Sequence, residues 1–241
     1  MNSDIALLTI IHDKDGLIRQ PLKKSVSILR NYYKHKYVAI SDQTPADIGE
    51  LLKQAGFSVF TVGKNGAANA RRNILRLVQP YKYAFYHYCD LDRLITWALH
   101  HPEEFPQIQK QIMANDYLII GRTEKAFSTH PLEWRETERM TNRMFSEEFG
   151  EEVDIAAGSC GVSRRALDLI VKKSAAKMTD AEWPLIVREA WGKESIGFTK
   201  ADGLLYLPHN KSNDASELDS WLSRIRLSYI IGDSIRGFRR R

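Results

Sequence analysis

The sequence predicts an α/β sandwich with a mainly parallel sheet, and three observations carry that expectation. Short apolar runs of strand length, at residues 5–11, 37–40, 57–62 and 82–89, alternate with segments of helical periodicity at 26–33, 45–55 and 67–78. Each apolar run closes on a polar or glycine turn, with Asp13, Asp42, Gly66 and Asp90 at or just past the closures. The composition, 43% hydrophobic and 27% charged over 241 residues, is that of an ordinary globular chain able to bury a sizeable core. Strands that alternate with helices in this way build parallel sheets covered on both faces.

The elements follow in order. Residues 5–11 are continuously apolar and end in His12-Asp13-Lys14-Asp15-Gly16, a strand leaving a polar turn. The next helix is expected over 26–33. A short strand over 37–40 is closed by Ser41-Asp42. A helix from Pro45 stops at Ala55 before Gly56, and a strand over 57–62 is followed by Gly63-Lys64-Asn65-Gly66. Residues 67–78 are helical as far as Pro80, and 82–89 form the fourth strand. The second half is less regular. Residues 94–115 read as helix with a break near Pro102 and Pro106, 117–121 as strand, 122–131 as a polar loop and 133–149 as helix. A strand is expected over 153–158, a helix over 163–173, a late strand over 203–207 and a terminal helix over 217–231. We find no repeat and no interdomain linker. One domain over 1–241 is expected, with a nucleotide-binding half over 1–95, an acceptor-side half over 96–210 and a helix with a basic tail over 211–241.

Net charge is +5, much of it in Arg236, Arg239, Arg240 and Arg241. That excess suits an anionic ligand and is no nucleic-acid signature. Cys89 and Cys160 form no Cys-x-x-Cys pair and no zinc spacing, which favours a reducing compartment. No apolar stretch approaches the length of a membrane span, and the first residues lack the basic start of a signal peptide. A cytoplasmic protein is expected, with a peripheral membrane contact open through the basic C-terminus.

The most informative stretch is Tyr83-Ala-Phe-Tyr-His-Tyr-Cys-Asp-Leu-Asp-Arg93. An aromatic strand ends in two carboxylates spaced i, i+2, which an extended chain points to one side. Two bare carboxylates roughly 4 Å apart repel by about 1 kcal/mol in bulk water and about 4 at an effective dielectric near 20. A hard divalent cation reverses that sign and binds through one or two carboxylates plus substrate phosphate oxygens. Asp90 and Asp92 therefore read as a metal-diphosphate clamp for Mn²⁺ or Mg²⁺. Alone, Asp-x-Asp is a common tripeptide; its context narrows it. Gly66-Ala-Ala-Asn-Ala-Arg-Arg-Asn73 opens a helix whose N-terminus favours phosphate. It is neither a Walker loop nor a dinucleotide fingerprint.

The series of an acidic turn after the first strand, Asp42 after the second, Ala-Arg-Arg-Asn at a helix start and then Asp-Leu-Asp resembles the GT-A fold of nucleotide-sugar-dependent glycosyltransferases, of the bacterial family 2 type. The resemblance is close over 4–95 and looser over 117–210. It implies a GT-A-like, Rossmann-type α/β/α sandwich with a mixed C-terminal half, and an enzyme that moves a sugar from a UDP- or GDP-sugar to an unknown acceptor. It implies Asp92 as main metal ligand, Asp90 on ribose or metal, Asp13 and Asp42 on base and ribose, and Arg72 and Asn73 near the donor phosphates. The doubled arginine leaves open which of Arg71 and Arg72 acts. Gly158 belongs to a small-residue turn, 156–163, that shapes the sugar pocket. Arg122 and Trp183 are expected on the acceptor side, with Trp183 stacking on a sugar face. Asp180 or Glu182 is the candidate base, competing with a helix-cap role for the same segment. His209 is a candidate further metal ligand, and His130 is expected to order its loop. The apolar residues between Trp221 and Ile231 are expected to pack against the domain.

Two other classes fit parts of the pattern. A nucleotidyltransferase shares the α/β cleft and Mg²⁺ but wants a glycine-rich basic loop after the first strand, where this chain is acidic. A non-catalytic, basic-tailed binding module would bind without metal and lose affinity steeply with salt.

Overall fold

A computed structural model describes residues 5–207, 210 and 216–239. Seven strands, β1 (Ile5–Ile11), β2 (His35–Ser41), β3 (Ser58–Val62), β4 (Phe85–Cys89), β5 (Tyr117–Arg122), β6 (Ser159–Ser163) and β7 (Ile196–Ala201), form one sheet in the order β3-β2-β1-β4-β6-β5-β7. The pairs β3·β2, β2·β1, β1·β4 and β5·β7 are parallel; β6 runs antiparallel to both β4 and β5.

Alternation along the strands sorts side chains into two cores. Ala6, Leu8 and Ile10 of β1 face one side with Tyr86 and Tyr88 of β4; Ile5 and Leu7 face the other with Cys89. The first side is covered by α3 (Ala67–Val78), α7 (Leu132–Phe149), α8 (Arg164–Lys173), α9 (Glu182–Trp191) and α10 (Glu217–Arg239). The second is covered by α1 (Arg19–Tyr32), α2 (Ala46–Gln54), α4 (Leu91–His100) and α5 (Phe105–Met113). A short helix, α6 (Glu124–Ser128), lies in the loop after β5. The result is a three-layer α/β/α sandwich, as the sequence predicts.

β1 and α3 have the expected bounds. α1 starts seven residues before the expected 26, because Asp13 accepts from the Leu17 and Ile18 backbone N–H groups at 2.9 and 3.0 Å and winds the chain early. Two expected strands are misplaced. Residues 153–158 are not a strand, although Val153, Ile155 and Ala157 are buried in alternation. Their backbone bonds go to α7 side chains instead: Ile155 N–H to Asn142 Oδ1 at 2.9 Å and Val153 N–H to Ser146 Oγ at 3.1 Å. The strand is the next segment, Ser-Cys-Gly-Val-Ser, where a Cβ on Gly161 would stand 2.4 Å from Ile112 Cγ1. Close packing on α5, not strand propensity, selects it. The late strand lies at 196–201 rather than 203–207; Gly203 is pressed onto Trp97, where a Cβ would fall 1.8 Å from Cδ1. The terminal helix extends to Arg239, eight residues past the expected end.

Candidate functional site

Four parallel strands, β1 to β4, leave their carboxyl ends on one edge, and antiparallel β6 begins there. Ligands of open α/β sheets bind beyond that edge. A cleft of about 460 Å³ occupies it, lined by His12 and Asp13 after β1, Ser41 of β2, Lys64 after β3 and both Asp90 and Asp92 after β4. Gly66 and Ala67 also line it. Gly66 holds φ at +84°, and α3 has no side-chain cap, so its first N–H groups open on the cleft. A second lobe of about 220 Å³ continues past Asp90 and Asp92, which line both, toward Arg93, Asp180 and Arg224.

The two aspartates do not extend the strand. Asp90 is the N-cap residue of α4 and Asp92 lies in its first turn. They share the cleft because the chain turns there from strand to helix. Both Asp90 oxygens are engaged: Oδ2 accepts from Arg71 at 2.8 Å and Oδ1 from the Tyr88 hydroxyl. Asp92 Oδ2 accepts from Asn210 Nδ2 at 2.8 Å, and its Oδ1 has no hydrogen-bond partner among the described residues. Gly158, at φ +73°, lies against Asp90; a Cβ would meet Asp90 Oδ2 at 2.7 Å, and its carbonyl accepts from the Asp90 N–H at 3.1 Å.

Arg71 is the hub. It is buried and donates to Tyr88 Oη at 3.0 Å, Thr179 Oγ1 at 3.3 Å, Asp180 Oδ2 at 2.7 Å and Asp90 Oδ2 at 2.8 Å. Burial opposes its charge, but the Asp180 and Asp90 carboxylates outweigh it and hold the guanidinium protonated well above its ordinary range. Sequence reasoning left the choice between Arg71 and Arg72 open, although the signal that decides it was present. It falls on the buried stripe of α3 with Ala68, Ile74, Leu75 and Val78, and Arg72 does not. Arg72 instead donates to the Ala176 carbonyl at 2.8 Å and lies 3.7 Å from Glu182, lining neither lobe. Asn73 bonds Asn69 one turn back on α3 and also lines neither.

The remaining expected residues divide. Asp13 lines the cleft, both oxygens spent on the turn into α1. Asp42 is exposed beside it, accepting from the Lys64 N–H at 3.1 Å, while its neighbour Ser41 reaches the cleft and bonds His12 at 2.7 Å. Asp180 lines the second lobe. Glu182 does not: it is buried, taking the N–H groups of Ala175 and Ala176 at 2.6 Å each and the Ser174 hydroxyl, so its carboxylate folds that loop rather than facing an acceptor. Trp183 is 2% exposed, edge-on to Tyr88 with its Nε1 on Ser174 Oγ, and cannot stack on a sugar. Arg122 is buried between Asp154 and Glu138, each at 2.7 Å, away from both lobes. Burial works against its charge, and the two carboxylates raise it above the ordinary range. His209 lies outside the described residues, as do Arg240 and Arg241; its chain neighbour Asn210 touches Asp92.

Residues that sequence reasoning passed over furnish the second lobe. Arg93 lies 3.9 Å from Asp92, over the rings of Trp134 and Tyr206, and donates to His130 Nε2 at 2.6 Å. His130 Nδ1 faces the Ala126 carbonyl at 3.1 Å, so the proton is assigned to Nδ1 and the Nε2 lone pair receives Arg93. Burial and the Arg93 and Arg122 charges push this imidazole down to about 2. Arg224 shares the Trp134 ring, 3.9 Å from its centroid, and bonds Glu138; burial lowers its guanidinium from the ordinary value.

No group of three or more His, Cys, Asp or Glu among the described residues could enclose a metal with protein ligands alone. No helix among them is long and apolar enough to cross a membrane.

No protein-family model matches the chain, and no curated protein does. Solved structures do. Glucosyl-3-phosphoglycerate synthase from Mycobacterium tuberculosis, in complex with Mn²⁺, UDP-glucose and phosphoglyceric acid, superposes with a TM-score of 0.65 at 13% identity, over 96% of this chain and 79% of that one. The same enzyme with phosphoglyceric acid gives 0.66 at 13% identity, over 97% and 80%. This chain has a GT-A-type fold. A further mycobacterial protein matches with a TM-score of 0.61 at 14% identity, over 81% of this chain and 64% of that one. At these identities the likeness is one of fold; in this chain the cleft and Asp90-Leu-Asp92 lie at the edge where β1 and β4 end.

Proposed function

We propose that this chain is a metal-dependent glycosyltransferase that takes a sugar from a nucleoside-diphosphate donor. One observation carries the reading: a single cleft runs from the loops after β1, β2 and β3, past Asp90 and Asp92, into a second lobe, so donor and acceptor can meet at the aspartates. The synthases of like fold bind UDP, UDP-glucose, Mn²⁺ and small phosphorylated acids, which supports the same ligand classes here.

The donor set suits a hard cation. Asp92 offers one open carboxylate oxygen to the cleft, Asp90 stands beside it, and diphosphate oxygens can complete the shell. Mn²⁺ or Mg²⁺ held there would neutralise charge on the departing diphosphate. The protein's own contributions are distinct. The open N-terminus of α3 and Lys64 face the phosphates electrostatically. Arg71 keeps Asp90 and Asp180 in register. As the sugar–phosphate bond breaks and the acceptor oxygen bonds to the sugar, the acceptor hydroxyl must lose a proton; that Asp180 lines the second lobe supports it as the carboxylate that receives it. Arg93 and Arg224 make a small acceptor bearing a carboxylate or phosphate the best fit. An arriving anion would offset what burial costs the Arg224 charge. A nucleotidyltransferase is less well supported, because Asp13 already occupies the N–H groups of Leu17 and Ile18 that a phosphate loop would offer.

Thermal shift against a panel of UDP- and GDP-sugars tests the reading. UDP- or GDP-sugar should raise the melting temperature in Mn²⁺ and not in chelator. No shift with any nucleotide sugar in Mn²⁺ would end the proposal.

A further inference from the structure

α10 is two-faced. Arg224, Ser228, Ile231 and Ile235 point inward, where Arg224 bonds Glu138, Ser228 bonds Thr141 and the two isoleucines join the core. On a second face, about a third of a turn round the helix, Leu218, Leu222, Ile225 and Tyr229 are 67%, 52%, 48% and 67% exposed, rather than packed against the domain as the sequence suggests. Their spacing is four, three, four, the a/d repeat of a helix that packs along another helix. Isolated exposed apolar residues need no explanation, but an in-phase row of four does.

We propose that this row is the contact of a two-fold dimer in which α10 packs antiparallel against α10 of a second copy. Pairing centred between Leu222 and Ile225 sets Leu218 against Tyr229 and Leu222 against Ile225 of the other helix, in four apolar layers. The same register brings Arg226, on the flank of the row, within about two residues' rise, or ~3 Å along the axis, of the other copy's Asp219. The twofold repeats that pair, so each helix supplies both charges and the surface is self-complementary. Arg226 has no ion-pair partner within its own chain among the described residues. Exposed Met144 of α7 extends the apolar surface. Met144 lies within 3.2 Å of where a Gly232 Cβ would be, which places it alongside the row. Because Arg224, Leu227 and Ser228 on the inner side line the second lobe, the dimer contact would brace the wall of that lobe.

Sedimentation velocity of the full chain at micromolar concentration should give a species of twice the chain mass. Leu222→Arg should be monomeric with an unchanged far-ultraviolet circular dichroism spectrum. Arg226→Asp should weaken association at least tenfold, and adding Asp219→Arg should restore it. Three results would overturn the proposal: a monomeric wild type, a Leu222→Arg variant that still dimerises, or a double reversal that stays weak. Flotation with phosphatidylglycerol vesicles provides the competing outcome. Vesicle binding by a monomeric wild type, lost in Leu222→Arg, would assign the row to a membrane surface instead.

Discussion

Arg71→Met lowers the unfolding free energy by about 3–5 kcal/mol, the cost of removing one partner from a buried ion pair. The magnitude follows from what the substitution leaves behind. Asp180 is 7% exposed at its side chain and Asp90 24%, and both lose the guanidinium that neutralises them. Tyr88 Oη and Thr179 Oγ1 lose a donor as well. Methionine fills similar volume, so the loss is electrostatic rather than a cavity. Adding Asp180→Asn to the Arg71→Met variant should recover part of the loss, since one orphaned charge is gone. Urea denaturation of the three proteins measures it. A loss below about 1 kcal/mol for Arg71→Met, the value typical of an exposed pair, would show that Arg71 is not the hub.

The second large effect is acid destabilisation set by two buried imidazoles. His87, fully buried among Tyr33, Ser159 and Trp97, is pushed down to about 3 by burial. His130 is pushed down to about 2. In the unfolded chain each titrates near 6.5. Below about pH 6.5 the unfolded state therefore takes up protons that the folded state refuses, and stability falls as pH falls. Each ring contributes a slope of about 1.4 kcal/mol per pH unit, so at about pH 5 the two together cost about 4 kcal/mol relative to neutral pH. Asp154 acts in a lower window. Burial opposes its ionisation, but Arg122 holds its carboxyl below the ordinary range, so its contribution is present above about pH 4 and is lost only beneath that. The urea midpoint should fall between pH 7.5 and 5, and His130→Gln should remove about half of the slope. A midpoint that is flat over that range would contradict the account.

The frame of β1 to β4 was legible in the residues because its signals are local. Apolar runs with polar closures placed β1, β2, β3 and β4, and Asp90-Leu-Asp92 was found in the cleft that their edge creates. What escaped was non-local. β6 is built from Ser, Cys, Gly and Val and owes its place to Ile112, a residue 49 positions away in sequence from Gly161. The Glu182-Trp183 pair reads as a base beside a stacking ring, yet Ser174, Ala175 and Ala176 claim both side chains for a turn. Arg122 is polar-loop material by sequence, and only Asp154 and Glu138 arriving from elsewhere make it a buried structural charge. Arg71 is the exception, since the phase of α3 distinguishes it from Arg72 without any tertiary information.

The central claim is that Asp92 and a bound diphosphate hold a divalent ion together, and electron paramagnetic resonance of Mn²⁺ tests it most directly. Free Mn²⁺ signal should fall when UDP is added to the wild-type protein, well beyond the loss that UDP alone produces, and Asp92→Asn should abolish the difference while melting as the wild type does. Equal signal loss for wild type and Asp92→Asn would contradict the account.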